Sequence, residues 1–261
     1  MAFALPAKSR GIWPWSLGLL AAGGIAVFVI HAMHEETAPA AVPPAVAASP
    51  APATDVALPP AAESDARIRD ALSGLTPNEL FKRWLQQDHL LDTLVVSTVN
   101  IAEDQTPARQ LSFLKPHRRF TATRSGGELV ISPRSHARYD AFASVISSLD
   151  AKRVASAYRA LHPLLESAYH ALGYPDRPLD EVVTRALQRI EDAPVRDGVA
   201  LRKSGSVYLF ADERLEALGG VEKQLLRMGP KNTRLLQAEA REIGSALGLP
   251  LRGEPQATTA R

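Results

Sequence analysis

AKRVASAYRALHPLLESAYHALG, residues 151–173, carries apolar side chains at alternating intervals of four and three positions. This spacing places them on one face of an α-helix, so we predict an amphipathic helix that ends at Gly173. Pro163 lies inside the pattern and cannot donate a backbone hydrogen bond. We therefore expect a kink between residues 158 and 163 or a break into two helices. The apolar positions are Val154, Tyr158, Leu161, Leu165, Ala168 and Leu172.

Further helices are predicted on both sides of this one. Thr76-Pro77-Asn78-Glu79 is typical of a capping box with proline at the first helical position, and it predicts a short helix through Phe81 and Trp84. Gly229-Pro230 combines a helix-ending glycine with a first-turn proline, which indicates a tight corner between two helices. The remaining helices are predicted over residues 64–72, 88–103, 222–228 and 231–247.

Two segments have the features of β-hairpins. Residues 119–124 and 128–132 flank Ser125-Gly126-Gly127, and residues 199–201 and 207–210 flank Lys203-Ser204-Gly205. Glycine in such short connections favours a hairpin turn. The sequence therefore predicts one mainly α domain, an α-rich α+β fold with two short β-hairpins, over residues 63–251.

The N-terminal region has the pattern of a membrane helix. Residues 12–30 carry no charge, and a helix of that length rises about 28 Å, close to the roughly 30 Å apolar core of a bilayer. Lys8 and Arg10 precede the segment, and no Lys or Arg follows until Arg67. We therefore expect a single-pass helix with residues 1–11 in the cytoplasm. A cleaved secretory signal is the alternative, but its apolar region is usually only about 7–15 residues long.

Residues 31–62 are rich in alanine and proline and predict a disordered linker. They lack the large apolar side chains that a packed core needs, and their prolines favour extended conformations. Residues 252–261 are predicted to form a disordered tail. Within the predicted membrane helix, the small residues Gly18, Ala22 and Ala26 share one face, which permits a homodimer through close helix pairing.

Composition and motifs give little support to catalysis or to nucleic-acid binding. The chain has no cysteine, so disulfides are excluded, and its net charge of +2 gives no reason to expect a nucleic-acid partner. His162, Glu166 and His170 have a spacing that metal ligands could use, but they lie away from the apolar stripe. A polar helix face is the preferred interpretation. We predict no metal, no cofactor and no catalytic residue.

Several runs of residues form a longer pattern: 137–140 (ARYD), 163–169 (PLLESAY), 172–175 (LGYP), 208–212 (YLFAD) and 223–232 (KQLLRMGPKN). This pattern resembles the bacterial domain of unknown function 3014 family over residues 63–247. The resemblance implies an envelope protein with an N-terminal membrane segment and a Pro/Ala-rich spacer. It brings no known activity, cofactor or catalytic residue. Together with the charge asymmetry, it predicts a bacterial inner-membrane protein with a periplasmic C-terminal domain.

Two groups of side chains are candidates for binding near the central helix. Arg138, Tyr139 and Asp140 lie at a predicted helix start. The negative charge of Asp140 is favourable near the positive end of the helix dipole, and Arg138 can form an ion pair with Asp140. A second group is expected to cluster around the central helix as the wall of a groove for a peptide or glycan, with Arg138 as its charged anchor. The preferred interpretation is structural, with tyrosines that bury a ring and satisfy a hydroxyl. The second group comprises Tyr158, Tyr169 and Tyr174, and Glu166 on the same helix is a further candidate binding residue.

A third candidate group surrounds the Gly229-Pro230 corner and comprises Lys223, Gln224 and Arg227. The adjacent Leu225 and Leu226 cannot share one narrow apolar stripe. Either one of them faces a partner, or the helix is buried on more than one side.

The predicted function is a membrane-anchored, non-enzymatic binding or scaffold module on the periplasmic side. Its partners are the lipid bilayer, through residues 12–30, and another envelope protein or a cell-wall component. The alternative is a periplasmic enzyme that acts on cell-wall or other envelope polymers, with Arg138, Asp140 and Glu166 gathered in one cleft.

Overall fold

The computed structural model describes residues 58–111, 116 and 118–252. Helices dominate this part of the chain, and two two-stranded antiparallel sheets accompany them, which confirms the predicted mainly α class. A 3₁₀ turn, Ala137–Tyr139, lies between the helices Pro133–His136 and Asp140–Ile146. In chain order the elements are α1 (Ala61–Leu72), α2 (Glu79–Trp84), α3 (Leu90–Ala102), β1 (Ala122–Ser125), β2 (Glu128–Ile131), α4 (Pro133–His136), α5 (Asp140–Ile146), α6 (Ala151–Ala171), α7 (Leu179–Asp192), β3 (Leu201–Ser204), β4 (Val207–Phe210), α8 (Glu213–Glu216) and α9 (Gly220–Leu247).

The starts of α2 and α3 differ from the sequence prediction. Asn78, not Thr76, caps α2, because its side-chain oxygen accepts a hydrogen bond from the backbone of Leu80 at 2.9 Å. Helix α3 begins two residues after the predicted start at residue 88. Its first backbone N–H groups, those of His89 and Leu90, donate to the buried carboxylate of Asp65 on α1 at 2.7 and 2.8 Å. A cap supplied by another helix leaves no signal in the local sequence.

The central helix α6 runs unbroken through Pro163, so the predicted alternative of two separate helices is wrong. Its N-terminus is capped by Asp150, which accepts a hydrogen bond from the backbone of Arg153 at 3.0 Å. Gly173 follows the helix with φ of 102°, as expected of a residue that ends it. The apolar face of α6 contributes to the main core, together with α1, α2, α3 and α7. The most buried members of that core include Ile68, Leu90, Val95, Val145, Tyr169 and Val182.

Helix α9 contains the predicted corner. Gly229 has φ of 80° and ψ of 162°, which lies outside the helical region, and Pro230 starts the helix again. Two side chains stabilise the corner: Thr233 donates to the carbonyl oxygens of Leu225 and Gly229, and Asn232 donates to those of Met228 and His136. The adjacent Leu225 and Leu226 are 3% and 2% exposed. Of the two alternatives, the helix is therefore buried on more than one side.

The first hairpin forms, but its turn is Gly126-Gly127 rather than the predicted residues 125–127, and β1 begins at Ala122 rather than at residue 119. Strands β1 and β2 pair antiparallel, with Ser125 opposite Glu128, and the turn glycines Gly126 and Gly127 both have positive φ. Strands β3 and β4 form the second sheet. The chain divides into two compact units, and Lys203–Leu209 belongs to a different unit from residues 58–202 and 210–252.

The predicted membrane helix at residues 12–30 lies outside the described residues, as do residues 31–57 of the linker and residues 253–261 of the tail. Ala61, which was predicted as linker, starts α1. Within the described part of the chain, each helix is too short or too polar to span a bilayer.

Candidate functional site

A cavity of about 330 Å³ lies where α6, the start of α7 and the C-terminal end of α9 meet. This volume is at the lower end of the range for ligand pockets, which suits a small ligand or one side chain of a larger partner. Apolar and polar groups both contribute to its wall. The lining residues are Tyr158, Arg159, His162 and Pro163 from α6, Asp180 from α7, Leu247 from α9 and Leu249 beyond it.

The polar part of the wall is organised around Asp180. Tyr158 donates its hydroxyl hydrogen bond to Oδ1 of Asp180 at 2.5 Å. Burial raises the pKa of the Tyr158 hydroxyl far above its usual value, and the hydrogen bond to Asp180 and the nearby charges of Asp180 and Glu166 raise it further. The hydroxyl therefore keeps its proton at physiological pH and holds the carboxylate in one orientation.

His162 lies between two carboxylates. Its Nε2 is 3.3 Å from Oδ1 of Asp180, and its Nδ1 is 3.6 Å from Oε2 of Glu166. The Tyr158 ring packs edge-on against the imidazole, with ring centroids 5.3 Å apart. These contacts fix the imidazole on both sides, and His162 and Glu166 are only 28% and 32% exposed.

Arg159 ties two elements of the wall together. Its guanidinium donates to the carbonyl oxygen of Ala246 at 2.7 Å, one residue before the end of α9. Helix carbonyl groups in the last turn lack helical partners and carry partial negative charge, so a cation is favourable there. The contact holds the end of α9, and with it Leu247, against α6.

The predicted groove residues on α6 do not all line this cavity. Tyr158 does, and Glu166 supports it through His162 while accepting a long hydrogen bond, 3.5 Å, from the backbone of Leu179 at the start of α7. Tyr169 is 1% exposed and stacks on Tyr174, with ring centroids 4.9 Å apart and planes inclined by 6°. The Tyr169 ring is therefore buried, as the structural interpretation expects, but its hydroxyl has no hydrogen-bond partner among the described residues.

Arg138, Tyr139 and Asp140 form contacts of their own around the 3₁₀ turn. The Arg138 guanidinium lies 5.9 Å from the Phe120 ring centre and 5.5 Å from that of Tyr139. Asp140 forms an ion pair with Lys231 at 3.6 Å, whereas the predicted partner of Asp140 was Arg138. Arg138, Asp140 and Glu166, the three residues of the predicted enzyme alternative, are not among the residues that line the cavity described above.

The third candidate group is engaged in structural contacts. Lys223 donates to the backbone carbonyl and the side chain of Glu216 at 3.0 and 3.2 Å. Arg227 is 7% exposed, and its guanidinium lies 5.2 Å from the ring centre of Phe210. Gln224 is half-buried. These side chains connect α9 to α8 and to the end of β4, and binding by them remains a prediction.

Four lining residues were not singled out from the sequence: Arg159, Asp180, Leu247 and Leu249. Asp180 follows Pro178 at the start of a helix, where an acidic residue is ordinary, and the two leucines belong to the pattern that ends α9. The cavity depends on contacts between distant parts of the chain, and no local pattern indicates them.

The comparisons with known proteins give one match. A family model described as "Protein of unknown function (DUF3014)" matches residues 90–244, which confirms the family resemblance. This range contains five of the seven lining residues and excludes Leu247 and Leu249. No curated protein and no solved structure matches the chain.

Proposed function

The chain belongs to the DUF3014 family of proteins of unknown function, and we propose that it is a non-enzymatic binding module tethered to the bacterial inner membrane. In this proposal, the periplasmic domain binds an envelope protein or a cell-wall component through the cavity between α6, α7 and the end of α9. The partner inserts one small group into the cavity rather than covering a broad surface.

The observation that carries this proposal is the fixed polar wall of the cavity. Tyr158 and His162 both contact Oδ1 of Asp180, whose side chain is 55% exposed, and Glu166 faces the other ring nitrogen of His162. Side chains held in this way lose little further freedom when a ligand binds, which lowers the entropic cost of association. A mixed wall of aromatic, apolar and charged groups is the usual composition of a ligand pocket.

The alternative enzyme needs a general base with one nitrogen directed at a reacting group. His162 is the imidazole of the cavity, but both of its nitrogens face carboxylate oxygens. The hydroxyls of Tyr158 and Ser167 on the same helix are also engaged, because they donate to Asp180 and to the carbonyl oxygen of Pro163. This arrangement favours binding over catalysis.

Tethering is supported by the sequence of residues 1–57. The uncharged segment at residues 12–30, its preceding Lys8 and Arg10, and the Pro/Ala-rich linker predict the topology. Because the chain has no cysteine, single-cysteine variants test it cleanly. In spheroplasts, an impermeant maleimide should label Ala47→Cys, and it should label Ala7→Cys only after lysis. Labelling of Ala7→Cys in intact spheroplasts, or of neither site before lysis, would contradict the topology.

The binding proposal is tested by photocrosslinking in bacterial cells that express the full chain. A photoreactive residue at Ala160, which is exposed and follows the lining residue Arg159 in the chain, reports on partners bound beside the cavity. The same residue at Thr123, exposed on β1, is the matched control. The proposal expects one recurrent adduct from position 160 that position 123 does not give. Identical adducts from both positions, or none from position 160, would refute it.

A further inference from the structure

Two oxygen atoms on residues that line the cavity lack a hydrogen-bond partner within the described part of the chain. Oδ1 of Asp180 is occupied by Tyr158, whereas Oδ2 accepts no hydrogen bond from the described residues. Pro163 has no N–H, so the carbonyl oxygen of Arg159, four residues earlier in α6, lacks its usual helical partner. Arg159, Pro163 and Asp180 all line the cavity. A ligand that satisfies these oxygens must itself be a hydrogen-bond donor.

The charges of the wall also favour a cation. The guanidinium of Arg159 is bound to the end of α9, where the helix dipole is negative, so its charge is partly compensated. Among the described residues, the basic side chain paired with Asp180 is the imidazole of His162, at 3.3 Å, and that ring also faces Glu166. The aromatic ring of Tyr158 adds a surface that attracts cations.

The remaining lining side chains are apolar. Pro163, Leu247 and Leu249 offer hydrocarbon surface beside the acceptors. An aliphatic chain that ends in a charged donor fits both parts, because it buries its methylene groups and leaves its head for the oxygens.

We infer that this cavity binds the primary ammonium group of a lysine-type side chain carried by a peptide. The carboxylate of Asp180 and the main-chain oxygen of Arg159 accept its hydrogen bonds, and Pro163, Leu247 and Leu249 pack against its methylene groups. This ligand class rests on the proposed binding function and narrows the partner to one that presents such an amine.

The test measures ligand binding to the full chain by saturation-transfer NMR. The probe is Nα-acetyl-lysine methylamide. The same compound acetylated on the ε-amine is its neutral counterpart, and n-butylamine represents a free amine without a peptide. We expect the lysine probe to bind about tenfold or more tightly than the ε-acetylated form, because a charge-assisted hydrogen bond is lost on acetylation. It should also bind more tightly than n-butylamine.

Variants assign the binding to Asp180. Asp180→Asn should weaken binding of the lysine probe about tenfold or more, whereas Asp176→Asn, an exposed carboxylate that does not line the cavity, should leave it unchanged. Tyr158→Phe, which keeps the ring and removes the hydroxyl, should cause a smaller loss. Thermal unfolding followed by circular dichroism checks that each variant is folded.

Equal binding of both lysine probes, no binding of either, or full binding by the folded Asp180→Asn variant would overturn the ligand class. Equal binding of n-butylamine would overturn the assignment to a peptide. A specific crosslink from position 160 that persists despite such a result would leave the binding function standing and remove only the amine. If position 160 also gives no specific crosslink, both the binding function and the amine ligand are refuted.

Discussion

The corner at Gly229 gives the sharpest prediction about stability. Its φ of 80° and ψ of 162° belong to a region that only glycine adopts readily. A Cβ atom added there would lie 2.5 Å from Cγ of the His136 ring. Gly229→Ala therefore forces either the backbone or the histidine to move.

The cost of Gly229→Ala in unfolding free energy has two parts. The backbone conformation costs an L-residue roughly 1–3 kcal/mol, and the overlap with His136 adds about 1–3 kcal/mol of overpacking. We expect Gly229→Ala to lower the free energy of unfolding by about 2–6 kcal/mol. Gly248→Ala is the matched control, because Gly248 has φ of 76° in the left-handed helical region and open space around it. That change should cost only about 1–2 kcal/mol.

The assay is urea unfolding of the full chain, followed by far-ultraviolet circular dichroism. The midpoints of the variants are compared with the same slope of unfolding free energy against urea concentration. A double variant, Gly229→Ala with His136→Ala, should recover the part of the loss that comes from the overlap and keep the backbone part. If Gly229→Ala costs no more than Gly248→Ala, the close contact with His136 does not restrain the corner and the reasoning fails.

Three further predictions concern buried or half-buried ionisable side chains, with unfolding by urea as the common measurement. Asp65→Ala removes the acceptor of two backbone N–H groups at the start of α3 and should cost about 2 kcal/mol, whereas an unchanged midpoint would contradict the cap. Burial, with two acidic neighbours, raises the pKa of Glu239 from 4.5 to about 7. The protonated form of Glu239 stabilises the fold below pH 4.5, and this stability is lost as pH rises through 7. The free energy of unfolding should therefore fall by roughly 2–3 kcal/mol over this range in the unmodified chain but not in Glu239→Gln. Parallel plots of unfolding free energy against pH for the two proteins would refute this. Arg189→Met should cost about 1–3 kcal/mol because Arg189 pairs with Asp104 and Glu222 at 3.4 and 3.1 Å, and a neutral result would show that the pairs are unimportant.

Much of the fold could be predicted from local patterns. The alternating spacing of apolar residues in α6, the glycine pair between β1 and β2, and the Gly229-Pro230 corner each act within a few residues of the chain. Their physical causes are the helical repeat, positive φ at turns and the missing N–H of proline. Such features need no knowledge of the tertiary structure.

The remaining features depend on distant contacts. Helix α3 starts where it does because Asp65, more than twenty residues earlier, caps it. The candidate cavity needs the start of α7 and the end of α9 beside α6, and its Arg159 contact joins residues 87 positions apart. Tyr158, His162 and Glu166 were all considered from the sequence, but no local pattern links Tyr158 and His162 to Asp180 on α7.

One measurement tests the central claim that the cavity holds the partner. In cells, photocrosslinking from position 160 is compared between the unmodified chain and a variant in which Leu249→Trp fills the cavity. Leu235→Trp, on a leucine of α9 that is 36% exposed and does not line the cavity, is the control. We predict that the adduct is lost with Leu249→Trp and kept with Leu235→Trp. An adduct of equal yield in both variants would contradict binding in the cavity.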